Sequence, residues 1–288
     1  MTQRQSQLNA LILAPDAAID LQLHTIYSDG QWLPEQLIDY LVSKQFGLAA
    51  ITDHDRVDTV ASVQQIASEK QMPILVAVEM TTSWAGGITD ILCYGFDPDN
   101  NELNELAAAV LGLQQENTRE VYEYLRRKGY VDETRQSDEL DTILQKPCAQ
   151  QPQELIGIMK QLDVGRSLKE IFDESGLALQ TNDTAAVVDA AHRSGAVCII
   201  AHPGRSDGFC TFDVDVLDQL RQDVPFDGLE VHYPIHTPEQ TAMFQAYVQK
   251  HGLLTSSGSD SHGPDKKPIK YSAELSRSLL ERLGVQIK

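Results

Sequence analysis

Basic residues are scarce in this 288-residue sequence, cysteines are scarcer, and long apolar runs are absent. Lys and Arg total 23 against 42 Asp and Glu, a formal charge of −19. A surface that tracks the phosphates of a long nucleic acid needs clustered cations, so no long nucleic acid is expected as a partner, and an anionic substrate has to be held locally. The four cysteines, Cys93, Cys148, Cys198 and Cys210, form no CxxC pair, which argues against a disulfide framework. No apolar run approaches the ~18 residues that cross a bilayer, and no charged-then-apolar leader opens the chain. A reduced, soluble, cytoplasmic protein without a membrane partner is the expectation; oligomeric state is left open.

Short apolar runs read as strands at 19–23, 48–51, 74–78, 91–94, 197–201, 228–231 and 253–257. Amphipathic stretches separate many of them. Pro34 suits the first turn of a helix whose Leu37, Ile38, Leu41 and Val42 share a face, and Gly47 stops it. Others cover 59–70, 185–193, 214–221, 237–251 and 273–283. Strand–helix repetition implies a parallel sheet, and seven units suit a closed or distorted barrel better than a two-sided sheet. From 97 to about 181 the alternation gives way to a polar stretch with helices predicted at 102–128, 153–162 and 167–175, the pattern of an inserted cap.

Most of the eight histidines fall in short strings with carboxylates: His24 with Ser28-Asp29-Gly30, Asp53-His54-Asp55, Glu79, His202 with Arg205, Glu230-Val231-His232, and Asp260-Ser261-His262. Neutral nitrogen and anionic oxygen together are the donors that Zn, Mn or Fe sites use. Each string follows a predicted strand, so all project from the carboxyl ends, where barrel enzymes build their sites. His192 and His251 sit in helical stretches and read as surface residues.

Asp20-Leu21-x-x-His24-Thr25-x-x-Ser28-Asp29-Gly30, Thr52-Asp53-His54-Asp55, Ala201-His202-Pro203-Gly204-Arg205 and Gly258-Ser259-Asp260-Ser261-His262 resemble the motifs of the polymerase-and-histidinol-phosphatase (PHP) family of metal-dependent phosphoesterases. The stand-alone members that it is similar to are nucleoside 3′,5′-bisphosphate phosphatases and 5′–3′ exoribonucleases. The resemblance implies a distorted seven-stranded (β/α) barrel over 1–98 and 182–288, a mainly helical cap at 99–181, and two or three divalent ions: Mn, Fe or Zn, or else Mg. Carried over, His24, Glu79 and Asp260 would hold one ion and Asp29, His54 and His262 a second. Glu79, His202 and Asp90 would hold a third.

The resemblance further implies hydrolysis of a small phosphorylated metabolite, a nucleotide or short oligonucleotide. Arg205 would clamp the phosphate, aided by Arg119 and Ser28, with His232 and Asp53 as catalytic candidates and His236 as a second proton donor. Two positions depart from the family. Gln22 stands where the first His of a His-x-His pair belongs and offers a harder, weaker amide oxygen, favouring Mn or Mg. Asp90 stands where a His is usual. By a loose count, Gln114 and Asn117 occupy the places of a cap arginine pair, whose planar forks would match a phosphate. Metal-assisted C–N hydrolysis and a catalytically weak binding or regulatory protein are the alternatives.

Overall fold

The computed structural model describes residues 11–131, 136–161 and 167–288. Residues 1–10 of the expected barrel segment and residue 162 of a predicted helix lie outside them. The chain divides into two compact units, Met1–Asn104 with Asn182–Lys288, and Glu105–Thr181.

Each of the seven predicted strand runs contains a strand. In chain order the strands are β1 (Ile12–Leu13), β2 (Ala18–Asp20), β3 (Leu48–Ala50), β4 (Ile74–Leu75), β5 (Ala77–Met80), β6 (Thr82–Trp84), β7 (Gly87–Ile88), β8 (Ile91–Tyr94), β9 (Asn182–Asp183), β10 (Val197–Ile200), β11 (Gly228–His232), β12 (Leu254–Ser257), β13 (Tyr271–Ser272) and β14 (Gln286–Ile287). They do not form one closed ring of parallel strands. A five-stranded sheet runs β12-β11-β10-β8-β5, and a four-stranded sheet runs β13-β2-β3-β4. Single parallel bridges, Leu23 to Ser261 and His54 to Glu79, join the two.

The uniformly parallel expectation fails at β8, which is antiparallel to both β5 and β10. The reason lies in residues 82–88, where β6 and β7 pair as a hairpin with Ala85 and Gly86 in left-handed conformation. The chain therefore returns beside β5 instead of crossing over it. The start of β8 stands level with the ends of β5 and β10, which delivers Asp90 to the carboxyl-end face.

Both faces of the inner strands are covered, so they read as apolar runs, not alternations. Ile19, Leu21, Leu48, Leu92, Tyr94 and Ile199 are fully buried in one cluster, each such aliphatic side chain contributing roughly 1.5–3 kcal/mol. The buried Tyr94 hydroxyl donates to the Leu21 carbonyl at 2.7 Å, satisfying its one polar atom inside that core.

Helix ends follow local chemistry. Asp183 and Asp213 cap Thr184–Arg193 and Val214–Asp223, and Thr237 with Gln240 forms a capping box on Pro238–His251, which Gly252 stops in left-handed conformation. Pro34 opens Pro34–Ser43, which buries Pro34, Leu37, Ile38 and Leu41, whereas Val42 faces solvent. The predicted 59–70 and 273–283 helices each begin as a 3₁₀ turn, before Val60–Glu69 and Arg277–Arg282.

The second unit consists of Leu103–Arg127 from Glu105 onward with Gln136–Leu144, Gln150–Lys160 and Leu168–Ser175, around Val121, Leu125, Leu155, Met159 and Ile171. Gln136–Leu144 lacked a sequence signal. No helix among the described residues is long and apolar enough to cross a membrane.

Gly228 opens β11 where a Cβ would stand 2.6 Å from Ile199 Cδ1 and closer still to the Leu254 carbonyl oxygen. Gly228→Ala is expected to destabilise the fold by about 1–3 kcal/mol through overpacking between backbones. A denaturant titration checks this, and an unchanged midpoint would contradict the packing described.

Candidate metal centre

The residue strings converge because the loops that carry them leave neighbouring strand ends. Asp260 N–H bonds the Gln22 carbonyl at 3.0 Å, His24 N–H the Ser261 carbonyl at 2.9 Å, Thr52 N–H the Leu23 carbonyl at 2.8 Å, and Glu79 N–H the Thr52 carbonyl at 3.2 Å. These bonds extend the ladders past the named strands, placing residues 22–24, 52–54, 79 and 259–261 side by side.

Glu79, fully buried, is the hub. Gln22 Nε2 donates to its two oxygens at 3.0 and 2.9 Å. His24 Nε2 lies 3.1 Å from Oε2, and His202 Nε2 lies 3.2 Å from Oε1. Burial opposes ionisation of Glu79, but His54, His202 and His24 outweigh it and hold the carboxyl well below its usual range. His24 Nε2 is also 3.2 Å from Asp260 Oδ1. The His24 ring lies near-parallel to those of His54, at 4.7 Å, and His262, at 4.2 Å, which are themselves 6.4 Å apart. His262 Nε2 is 3.3 Å from Asp29 Oδ1, and its Nδ1 lies 2.9 Å from the Asp260 carbonyl oxygen. An N–H donated there leaves the Nε2 lone pair free toward the cluster, the arrangement that orients metal-binding imidazoles.

Three groups offer donor atoms within 4.8 Å of one another: His24, Asp29, His54 and His262; His24, Glu79 and Asp260; and His54, Glu79 and Asp90. His202 Nε2 stands 3.7 Å from Asp90 Oδ2. The donor set fits divalent cations on the structure's own terms. His24 Nδ1 and Asp90 Oδ1 are buried without a hydrogen-bond partner, and burial, with Glu79 and Asp55 nearby, pushes the Asp90 carboxyl well up. Buried acceptors and like charges in this proximity are stable only with a proton or a cation among them.

Three of the six non-glycine residues with left-handed φ among the described residues lie here. Asp55, His202 and Asp260 adopt left-handed φ of 53°, 30° and 53°, each costing on the order of 1–3 kcal/mol. Each is pinned through its own N–H: Asp55 to the Glu79 carbonyl at 2.9 Å and Asp260 to that of Gln22 at 3.0 Å, His202 to Glu230 Oε2 at 3.0 Å. Burial, with Asp260, Glu79 and Asp20 nearby, pushes the Glu230 carboxyl well up.

Other expected residues stand differently. Asp53 accepts from Thr25 N–H at 2.6 Å, Thr25 Oγ1 at 2.7 Å and Ser28 Oγ at 2.8 Å; both its oxygens hold the 25–28 loop, and Ser28 is buried on it. Arg205 bonds Asp207 through Nε and Nη2, both at 2.8 Å, and lies over the Phe209 ring. Only Nη1 faces the cluster, 3.8 Å from Asp260 Oδ2.

Among the described residues no side-chain hydrogen bond or ion pair joins His232 to the cluster, and burial lowers its pKa, the direction that disfavours a proton donor. His236 accepts from Gly204 N–H at 3.0 Å and faces the Val231 carbonyl through Nδ1 at 3.1 Å; burial lowers it to about 4, so it is neutral and buttresses the 202–205 turn. Gln114 and Asn117 bond the backbone of 176–180 within the second unit, and Arg119 is exposed there.

Three contacts had no sequence signal. Tyr233 donates its hydroxyl to Asp260 Oδ2 at 3.0 Å. Lys266 Nζ reaches the same oxygen at 3.4 Å. The buried Asp20 accepts from Ser259 and Ile269 N–H, both at 2.9 Å, fixing the loop that carries Asp260. An aromatic residue next to a histidine and a lysine in a polar loop look like any surface pair until folding aims them at one oxygen.

No protein-family model matches the sequence. The chain is homologous to a 3′,5′-nucleoside bisphosphate phosphatase of Chromobacterium violaceum, 27% identical over 256 residues, 86% of this chain and 88% of that protein. A 5′–3′ exoribonuclease of Haemophilus influenzae is 23% identical over 249 residues, covering 85% and 90%. Its fold is that of a solved protein from Bifidobacterium adolescentis assigned as a metal-dependent phosphoesterase, with a TM-score of 0.72, 21% identity and 94% and 98% coverage. An amidohydrolase from Chromobacterium violaceum, solved with bound sulfate and no metal, is similar at a TM-score of 0.69, 24% identity and 88% and 91% coverage.

A Cβ on Gly30 would stand 2.6 Å from the His24 carbonyl carbon and oxygen and 2.7 Å from Thr25 N. Gly30→Ala is expected to open the 24–30 loop, lower stability by about 1–3 kcal/mol and weaken divalent-ion binding by moving Asp29. Thermal unfolding with and without Mn²⁺ checks both effects; wild-type midpoints in the two conditions would refute the loop's role.

Proposed function

We propose that the chain is a metal-dependent phosphoesterase that hydrolyses a small phosphorylated substrate of the nucleotide or short-oligonucleotide class. The observation that carries the reading is the convergence of Asp29, Glu79, Asp90 and Asp260 on four imidazoles, with no lysine or arginine in an ion pair with Glu79 among the described residues. Such an excess of buried acceptors needs divalent counter-charge. The two bridges between sheet edges support reading the first unit as a distorted seven-stranded barrel interrupted by an antiparallel strand.

His24, Glu79 and Asp260 would hold one ion; Asp29, His54 and His262 a second; and Glu79, Asp90 and His202 a third. The oxygen-rich set, with an amide at position 22, favours Mn over Zn. When bound, such ions would lower the pKa of a coordinated water and neutralise charge on the phosphoryl group.

The protein's own part is positional. Glu79, held by Gln22, presents one oxygen toward His24 and the other toward His202. Arg205 offers Nη1 for a phosphoryl oxygen while Asp207 and Phe209 fix its plane. Asp53 acts by holding the 25–28 loop that carries Asp29 toward His262. Tyr233 and Lys266 at Asp260 Oδ2 are the donors nearest to an incoming anion.

The reading is tested with Mn²⁺-loaded protein against a nucleoside 3′,5′-bisphosphate and short oligonucleotides. His54→Ala and Asp260→Asn are expected to lower bound Mn per chain and reduce kcat by roughly a hundredfold or more while unfolding remains cooperative. Near-normal turnover in either variant would overturn the ligand assignment, and metal binding without phosphoester turnover would overturn the function. Because Asp207 already occupies two of the Arg205 donors, Arg205→Lys is expected to lower kcat/KM by only about 1 kcal/mol, roughly fivefold, the worth of a single charge-assisted bond. A loss above about 3 kcal/mol would mean that the guanidinium turns from Asp207 to grip the phosphate with its full fork.

A further inference from the structure

A second group of donors lies at the other end of the same strands. Cys198 is near the start of β10, Asp227 immediately precedes β11, and Cys93 is near the end of the antiparallel β8. The residues of those strands that enter the metal centre, Asp90 and His202, are three or four positions away, roughly 10–13 Å along a strand. His192 reaches this end from the last turn of Thr184–Arg193.

The His192, Cys198 and Asp227 donor atoms fall within 4.8 Å of one another. His192 Nε2 lies 2.8 Å from Asp227 Oδ2, and the Cys198 N–H donates to that oxygen at 2.7 Å, which fixes the carboxylate beside the thiol. Cys93 pairs directly with Cys198 across β8 and β10. Ala201 N–H donates to the Asp90 carbonyl, so the 90/201 pair is hydrogen-bonded. By alternation 93/198 is not, and such pairs bring side chains closest.

We propose that His192, Cys198, Asp227 and Cys93 form a separate binding site for one thiophilic divalent cation of the Zn²⁺ class. Two sulfurs, one imidazole and one carboxylate make four donors, the number a closed tetrahedral site uses, with ligand atoms about 3.3–3.8 Å apart. The His192, Cys198 and Asp227 donors already lie within 4.8 Å of one another, and Cys93 adds the second sulfur from the paired position on β8.

The softness of the set separates it from the oxygen-rich centre at the opposite strand ends, so the two sites select different ions. Both cysteines are fully buried, whereas His192 and Asp227 are 32% and 30% exposed, which leaves a way in from solvent. The neighbouring Cys93 and burial push the Cys198 thiol well up, so without a cation it stays an inert thiol, and binding would displace its proton. A bound ion would tie Thr184–Arg193 to β8, β10 and β11, a cross-link that stabilises the fold without entering the chemistry.

Full-length protein stripped with a chelator and titrated with Co²⁺ or Cd²⁺ tests this through thiolate-to-metal charge-transfer absorption. The His and carboxylate centre holds no sulfur and cannot produce that band. The expected result is a band that saturates at one ion per chain, is abolished in Cys198→Ser, falls to about half in Cys93→Ser, and persists in Cys148→Ser and Cys210→Ser. His192→Ala, on a partly exposed helical position, gives an independent arm in which the band weakens and the rise in Tm on adding Zn²⁺ shrinks. Absence of the band in the wild type, its survival in Cys198→Ser, or a full Zn²⁺-dependent rise in Tm in His192→Ala would overturn the proposal. An unchanged band in Cys93→Ser would remove that residue from the site.

Discussion

A single buried carboxylate, Glu79, sets the terms for the rest of the structure. An ionised group without access to water must be met by donors or cations, and Glu79 is met from three directions by Gln22, His24 and His202. Those partners come from segments after β2 and β10, so satisfying one side chain requires three strand ends to be in register. Its backbone takes part too, since its N–H and carbonyl tie the turn at 52–55. The left-handed conformations of Asp55, His202 and Asp260 follow from the same demand. Residues normally excluded from that region are held there because their N–H groups have buried acceptors waiting.

The amides at positions 22, 114 and 117 have structural partners of their own. Gln22 bonds both oxygens of Glu79, Gln114 clasps the backbone at Ala178 and Gln180, and Asn117 clasps Gly176 and Ala178. An amide carries a donor and an acceptor in one plane, so it can join two polar groups where imidazole or guanidinium would bring charge. In the proposed phosphoesterase, phosphate recognition would depend correspondingly more on the ions and on Arg205.

Much of the site was readable because its donors lie in short strings that each follow a strand: His24, His54, His202, Asp260 and His262 are named by motif and delivered by topology. What could not be read depends on partners far along the chain. Asp53 looks like a candidate for catalysis beside His54, yet its oxygens are taken by Thr25 and Ser28, a loop that local pattern does not connect to it. Tyr233 and Lys266 meet only at Asp260 Oδ2. The antiparallel course of β8 was hidden because a buried strand is apolar in either direction. The cysteines were read through their lack of local spacing, while Cys93 and Cys198 become neighbours through strand pairing.

The way the chain closes on itself bears on when the site can exist. The loop that follows β2 takes its backbone partners from Ser257 and Ser261, Asp20 takes Ser259 and Ile269, and β1 pairs with β14. On a translating ribosome, where synthesis proceeds residue by residue from the amino end, the first donors therefore wait beside empty ladder positions until the last ones have cleared the exit tunnel. The strings around His24, His54 and Glu79 are made early, but the backbone bonds that align residues 20–24 with 257–261 form only after β12 has been synthesised. A product truncated before β12 would carry the early motifs without the backbone partners that align the first of them.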